Sequence, residues 1–221
     1  MVEVVKFSDC ELVIFDCDGV LVDSELLLNE SLAEISSELG WPCTVNQAGE
    51  RFRGRTNIDI LASIEEALQT TLNVDFQQML EDRVFKTFER DLLPMPGVLT
   101  VLNELLIPFC AATNSIKSEA NFKLRVTGLL PWFNDRVYTS DQVERPKPAP
   151  DLYLYAANQM NAPIDKTIVV EDSSLGVRSA LAADMKVVGL AASQYVVRKE
   201  LEEAGAHVVI DDIRELLPLV H

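Results

Sequence analysis

Two aspartates one residue apart, Asp16 and Asp18, close the apolar run Leu12-Val13-Ile14-Phe15 and are followed at once by Gly19. A short run rich in β-branched and aromatic residues predicts a strand buried on both faces. Carboxylates at the end of such a strand are costly to desolvate unless a cation or a chemical role compensates them. Open α/β sheets bind ligands at this end of their strands, and a glycine there lets the backbone turn away sharply. An isolated D-x-D-G is also the composition of an ordinary turn, so the weight falls on later segments of the chain.

Three further segments carry polar residues of related kinds. The run Ile107–Ala112 leads into Thr113-Asn114-Ser115, where a hydroxyl and free N–H groups ahead of a helix form an anion cradle. Arg145-Pro146-Lys147-Pro148 sets a lysine between prolines, in a stiff extended segment that aims its ammonium. Thr167–Val170 runs into Glu171-Asp172-Ser173-Ser174, two adjacent acids at a second buried strand end. Taken singly, these are also the residues of helix caps and solvated loops. Together, Asp16, Asp18, Glu171 and Asp172 bring four negative charges that cannot all ionise at close range without compensation. A hard divalent cation resolves this, and oxygen-only ligands favour Mg2+ over zinc or copper. Lys147 adds positive charge, giving a pocket that attracts phosphate.

The elements that position these groups follow from the apolar periodicity. Helical spacing runs from Ser24-Glu25 to Gly40, then over roughly 57–70 and 76–92, and no strand pattern interrupts residues 24–93. From residue 98 helices and strands alternate: helix at 98–105, strand at 107–112, helix at 116–128, strand at 136–139, helix at 150–160, strand at 167–170, helix at 174–184, strand at 186–190, helix at 195–204 and strand at 207–210. The expected fold is α/β, a doubly wound parallel sheet covered on both faces, with a small all-helical domain inserted after the first strand. The expected domains are 1–22 with 95–221 for the core and 23–94 for the helical insertion, with linkers near Leu21–Asp23 and Pro94–Gly97.

Composition narrows the function classes. The chain has 221 residues, 48% of them apolar, enough for a sizeable core. Its 19 basic and 35 acidic residues give a net charge of −16, which argues against nucleic acid as a partner. No apolar stretch is long enough to span a membrane. MVEVVKFSDCELVIF lacks the charge pattern and cleavage site of a signal peptide, and Cys10, Cys17, Cys43 and Cys110 lack zinc-type pairing. Reduced thiols in a cytoplasmic protein are expected. The two histidines, His207 and His221, lie outside every motif, so acid–base chemistry falls to carboxylates.

The ordered set DCDGV, TNS, the lysine of RPKPAPD and the ED of VVEDSSLG resembles the haloacid dehalogenase-like (HAD) superfamily, in the subgroup with a helical cap after the first strand. The resemblance spans the chain from Glu11 onward and points to sugar-phosphate phosphatases and β-phosphoglucomutase relatives. It implies that Asp16 is the nucleophile and becomes a phosphoaspartate. Asp18 would protonate the leaving alcohol and then deprotonate the hydrolytic water. Asp16, the backbone carbonyl of Asp18 and Asp172 would hold Mg2+, with Glu171 in or beside the shell. Thr113 and the N–H of Asn114 would bind the transferring phosphoryl group, and Lys147 would neutralise it.

Asp18 favours phosphoryl transfer from oxygen over dehalogenation. Leu28 and Asn57 stand where the mutase pattern has histidine and arginine, which favours a phosphatase of a sugar, sugar-acid or polyol phosphate. A phosphosugar mutase is the alternative, and a non-catalytic binding protein on the same fold a further one. Arg53 and Arg55, flanking Gly54, are expected to reach the substrate's leaving group, with a solvated surface turn as the competing expectation. The expected partner is a small phosphorylated metabolite, with neither nucleic acid nor membrane, and the chain is expected to be a monomer, with a weak homodimer as the alternative.

Overall fold

β1 (Leu12–Phe15) is buried at every position, as its unbroken apolar run requires. The next elements in the computed structural model are α1 (Glu25–Glu38), α2 (Val45–Phe52), α3 (Asn57–Leu68) and α4 (Phe76–Asp91). Then come α5 (Val98–Glu104), β2 (Phe109–Thr113), α6 (Lys117–Val126), α7 (Leu130–Phe133) and β3 (Val137–Thr139). The chain continues through α8 (Asp151–Gln159), β4 (Thr167–Glu171), α9 (Ser174–Ala182), β5 (Lys186–Leu190), α10 (Arg198–Ala204), β6 (Val208–Ile210) and α11 (Leu217–Val220). Residues 6–53 and 55–220 are described. Gly54, His221 and the first five residues lie outside the described residues.

The strands form one parallel six-stranded sheet in the order β3-β2-β1-β4-β5-β6. The chain therefore winds outward from β1 through β2 and β3, then returns to lay β4 on the other side of β1. That reversal opens a crevice at the carboxyl ends of β1, β2 and β4, the place where such sheets hold ligands. Register carries the ends to one level, because Phe15 pairs with Ala111 on β2 and with Val170 on β4. Leu12, Ile14, Cys110, Val169 and Val187 pack against Leu152, Tyr153, Ala156, Val177 and Ala180 in a continuous buried cluster. At roughly 25 cal/mol per Å² of apolar surface, these strands and helices are held by what they bury together.

The chain divides into two compact units, one built from the chain up to Asp23 and from Leu93 onward, the other from Ser24–Leu92. The second is all helical and has its own core, in which Leu32, Ile35, Phe52, Ile60, Ile64, Phe76 and Leu80 meet. Arg83 of α4 ties back to Glu34 and Glu38 of α1 at 2.5 and 2.8 Å. In the first unit, the two linker segments run side by side, Met95 N–H donating to Leu21 O and Asp23 N–H to Leu93 O at 2.9 and 3.0 Å.

Several local features differ from the sequence expectation. Helix α2 lies outside it, because VNQAGERF is short and interrupted by Gly49; Thr44 and Gln47 cap it reciprocally. The second strand begins at Phe109 rather than Ile107, since Pro108 has no N–H to give a ladder. Lys147 lies in a turn closed by Ala149 N–H to Pro146 O at 3.0 Å, with a cis Lys147–Pro148 bond, rather than in an extended segment. Among the described residues no helix is long and apolar enough to cross a membrane.

Candidate active site

Asp16 follows β1 directly, and its N–H is held by Val170 O of β4 at 3.0 Å. This bond keeps the residue in the sheet and turns its carboxyl into the crevice side, where it is 8% exposed. Lys147 Nζ meets it at 2.6 Å from Oδ1. The same ammonium donates to Glu171 Oε1 at 2.8 Å and to Ala112 O at 2.9 Å, and it sits 4.6 Å from the centre of the Tyr153 ring. All three ammonium protons thus have acceptors, as a lysine so deeply buried requires.

Lys147 is placed from the backbone as well as from its tip. Asn114, just past β2, accepts Lys147 N–H at its Oδ1 and donates Nδ2–H to Lys147 O, both at 3.0 Å. The neighbouring Thr113 is buried, and its hydroxyl oxygen accepts Ser115 N–H at 3.1 Å. The Asn114 side chain is therefore occupied in clamping the lysine turn, while the polar strand end beside it continues toward the α6 N-terminus.

At the end of β4, Glu171 is 1% exposed and both its oxygens are engaged. Oε1 takes Lys147 Nζ and the Tyr153 hydroxyl, the latter at 2.7 Å; Oε2 takes Ser173 N–H at 3.1 Å and Ser173 O–H at 2.9 Å. Ser173 also caps α9 by accepting Gly176 N–H at 3.0 Å. Gly176 is needed for space, because a Cβ there would come 1.7 Å from Glu171 Oε1. Gly19 serves Asp172 in the same way. It has φ +73°, and a Cβ would lie 1.9 Å from Asp172 Oδ2.

One oxygen from each of Asp16, Glu171 and Asp172 lies within 4.8 Å of the others. Burial pushes the Asp16 carboxyl up to about 7, opposed by Lys147 and reinforced by the negative charge of Glu171. Burial also disfavours charge on Glu171, but Lys147 and its hydrogen bonds outweigh it and hold that carboxyl below its ordinary value. Against burial, Asp16 and Glu171 raise the Lys147 ammonium above its usual range. Three grouped acids, two of them on one ammonium, leave negative charge uncompensated, and all their donors are hard oxygens. The residues fit a hard divalent cation.

Asp18 is arranged differently from the other acids. Both its carboxylate oxygens lie 2.8 Å from Lys123 Nζ on α6, and Ser115 Oγ stands 3.4 Å from Oδ2. Its side chain is thus outside the Asp16–Glu171–Asp172 group, and only its backbone carbonyl remains for the metal role expected of it. Sequence reasoning missed Lys123 and Tyr153, and it placed Ser115 in the anion cradle after β2 without its contacts to Asp18 and Lys123. A signal existed for Lys123, which shares a helical face with the buried Ala120 and Leu124 and follows Glu119 by one turn.

Arg53 and Arg55 belong to the helical unit, and both are exposed. Arg53 ends α2, with its N–H on Gly49 O at 3.3 Å, and Arg55 Nη1 donates to Ser63 Oγ of α3 at 2.6 Å.

A parallel sheet reversing at β1, with acids on two strand ends and a buried lysine between them, defines the class as an α/β protein with an acidic, lysine-centred site at the carboxyl end of its sheet. Residues 13–190 match the family model described as haloacid dehalogenase-like hydrolase, and the chain belongs to that family. It is 28% identical to the 6-phosphogluconate phosphatase of Escherichia coli (strain K12) over 81% of this chain and 82% of that one. It is 31% identical to the phosphorylated carbohydrates phosphatase of Thermotoga maritima over 90% and 94% of the two chains. Among solved structures, a HAD family hydrolase from Deinococcus radiodurans R1, with bound phosphate and sodium, superposes with a TM-score of 0.84. The two are 29% identical, and the match covers 95% of this chain and 94% of that one.

Proposed function

We propose that this phosphoric monoester hydrolase is a Mg2+-dependent phosphatase of a small phosphorylated carbohydrate, acting through a phosphoaspartate on Asp16. The observation that carries the reading is the Asp16 carboxylate at the crevice, 2.6 Å from Lys147 Nζ and grouped with Glu171 and Asp172. A carboxylate nucleophile facing a fixed ammonium suits attack on a phosphoryl group, whose charge the ammonium offsets.

In the first half-reaction an Asp16 oxygen bonds to phosphorus as the bond to the leaving oxygen breaks, and Asp18 gives that oxygen its proton. In the second, Asp18 takes a proton from water, the water oxygen attacks the aspartyl phosphate, and Asp16 and inorganic phosphate are released. Thr113 and the Asn114 N–H would receive the phosphoryl oxygens, with Lys147 against their charge. Asp16, the Asp18 carbonyl and Asp172 would hold Mg2+, with Glu171 beside them holding Lys147. When bound, the ion supplies positive charge against the phosphoryl oxygens.

The helical unit would act as the cap that selects the leaving group, with Arg53 and Arg55 as its reading residues. The relatives' names favour a sugar or sugar-acid phosphate, and a polyol phosphate fits the same site. Leu28 and Asn57 argue against the mutase alternative, lacking the cation-capable groups of that pattern. Phosphate release from a panel of sugar, sugar-acid, polyol and nucleoside phosphates, with and without Mg2+, tests the reading. Release that needs Mg2+ and disappears in Asp16→Asn supports it. Turnover that persists without metal or in Asp16→Asn removes it.

A further inference from the structure

Helix α6 buries a charged residue that the phosphatase chemistry does not by itself require. Lys123 is 4% exposed, and its ammonium is set among oxygen acceptors. Its Nζ lies 2.8 Å from each Asp18 oxygen, 3.1 Å from Ser115 Oγ and 2.6 Å from Glu119 Oε1. Ser115 Oγ in turn donates to Glu119 Oε1 at 3.1 Å. Asp18 and Lys123 are 105 residues apart in the chain, so the sheet and α6 must both be formed before they meet.

A lysine on the apolar face of a helix is costly, because an apolar side chain of similar size would fold there as well or better. Lys147 meets the same cost beside Asp16 and Glu171. The two carboxylates given chemical roles therefore each have their own buried ammonium, contributed by different elements. The Asp18 side chain is 37% exposed against 5% for Lys123, so solvent alone would leave its two torsions free. A cation gripping both oxygens removes that freedom, and fixed placement is what a proton-transfer group requires.

We propose that Lys123 is a positioning residue for Asp18, holding its side chain where the protonated carboxyl gives its proton to the leaving oxygen and the resulting carboxylate takes one from water. Lys123 exchanges no proton and touches no reacting atom; the proton moves between Asp18, the alcohol and water. Ser115 acts with it from the turn after β2, its Oγ accepting from Lys123 Nζ at 3.1 Å and so fixing the ammonium that grips Asp18. The proposal rests on the phosphatase reading and on Asp18 serving as its acid and base.

The test is steady-state turnover of 4-nitrophenyl phosphate with Mg2+ in the full chain. It compares wild type, Asp16→Asn, Lys123→Met, Lys123→Arg, Asp18→Asn and the double variant Asp18→Asn/Lys123→Met. Lys123→Met is expected to lower kcat roughly 10- to 100-fold with KM changed less than about twofold, and Lys123→Arg to recover part of the loss. In the Asp18→Asn background, adding Lys123→Met is expected to change kcat by less than about twofold, since a residue acting through Asp18 has nothing left to position. Ser115→Ala, which leaves every buried charge paired, is the second variant should Lys123→Met not fold, with kcat roughly three- to tenfold down and KM unchanged. Wild-type kcat in Lys123→Met, or in Ser115→Ala in its place, overturns the proposal, as does an equal loss with and without Asp18. Those results leave the phosphatase reading standing if wild type turns over and Asp16→Asn does not. Absence of Asp16-dependent turnover in wild type overturns both.

Discussion

Lys147 Nζ lies 2.8 Å from Oε1 of Glu171, and both side chains are almost wholly shut from solvent. Neither can lose its partner cheaply, because the charge left behind stays buried. Lys147→Met leaves Asp16 and Glu171 facing each other and is expected to cost about 3–5 kcal/mol in urea unfolding without metal. The double variant Lys147→Met/Glu171→Gln should be more stable than Lys147→Met alone. Additive losses in that cycle would mean the two side chains are not energetically coupled.

The Asn114 side chain holds the Lys147 turn by two hydrogen bonds of 3.0 Å, one accepted and one donated. Asn114→Asp keeps the acceptor but sets a carboxylate oxygen against Lys147 O. It is expected to cost about 2 kcal/mol and to lower kcat roughly tenfold or more by loosening the lysine. Urea unfolding and steady-state kinetics check both. Wild-type stability and turnover in this variant would show that the turn holds itself.

Gly176 leaves the room that Glu171 fills, since an added Cβ would come 1.7 Å from Oε1 and 1.9 Å from Cδ. The carboxyl cannot swing aside without breaking its bonds to Lys147, Tyr153 and Ser173. Gly176→Ala should therefore destabilise by about 1–3 kcal/mol, although alanine is the better helix former. A rise in melting temperature would show that Glu171 moves freely.

The raised Asp16 carboxyl makes stability depend on pH when metal is removed. Its folded value of about 7 lies above that of the unfolded chain. The folded state thus binds the extra proton, and this contribution, present at low pH, is lost as pH rises through the folded value. Without metal, wild type should lose more melting temperature than Asp16→Asn between about pH 5 and about pH 7.5. Mg2+ should stabilise wild type more at the higher pH, where fewer protons compete for the site. Parallel pH profiles for the two proteins would exclude Asp16 as the group responsible.

Arg55 Nη1 donates to Ser63 Oγ within the helical unit at 2.6 Å, and its side chain is exposed. As a leaving-group reader it should be dispensable for 4-nitrophenyl phosphate and needed for the best sugar-phosphate substrate. Arg55→Ala is expected to lower kcat/KM for that substrate roughly tenfold while changing aryl phosphate turnover little. An unchanged kcat/KM across every good substrate would assign the arginine to the surface instead.

Local pattern made much of this protein legible from its sequence. Leu12–Phe15 and Thr167–Val170 announce buried strands because parallel strands covered on both faces are apolar throughout. The polar residues at their ends stand out because the pattern breaks there. Asp16, Glu171 and Asp172 are visible in this way, as is Thr113 at the end of the apolar β2, since a residue's place at a strand end is set by its immediate neighbours. Helix α2 was harder to see, as a short segment with Gly49 inside it shows little period even when Thr44 and Gln47 cap it.

Only the tertiary structure decided which groups meet. Lys147 finds Asp16 across 131 residues and Lys123 finds Asp18 across 105, separations at which no local spacing constrains contact. The sheet order puts β2 and β4 on either side of β1, and packing then turns one lysine of α6 inward and seats another in the turn before α8. Sequence thus determined the acids that line the crevice. The division of buried positive charge between them is a property of the folded sheet, because an ammonium shielded from water must lie where its acceptors converge.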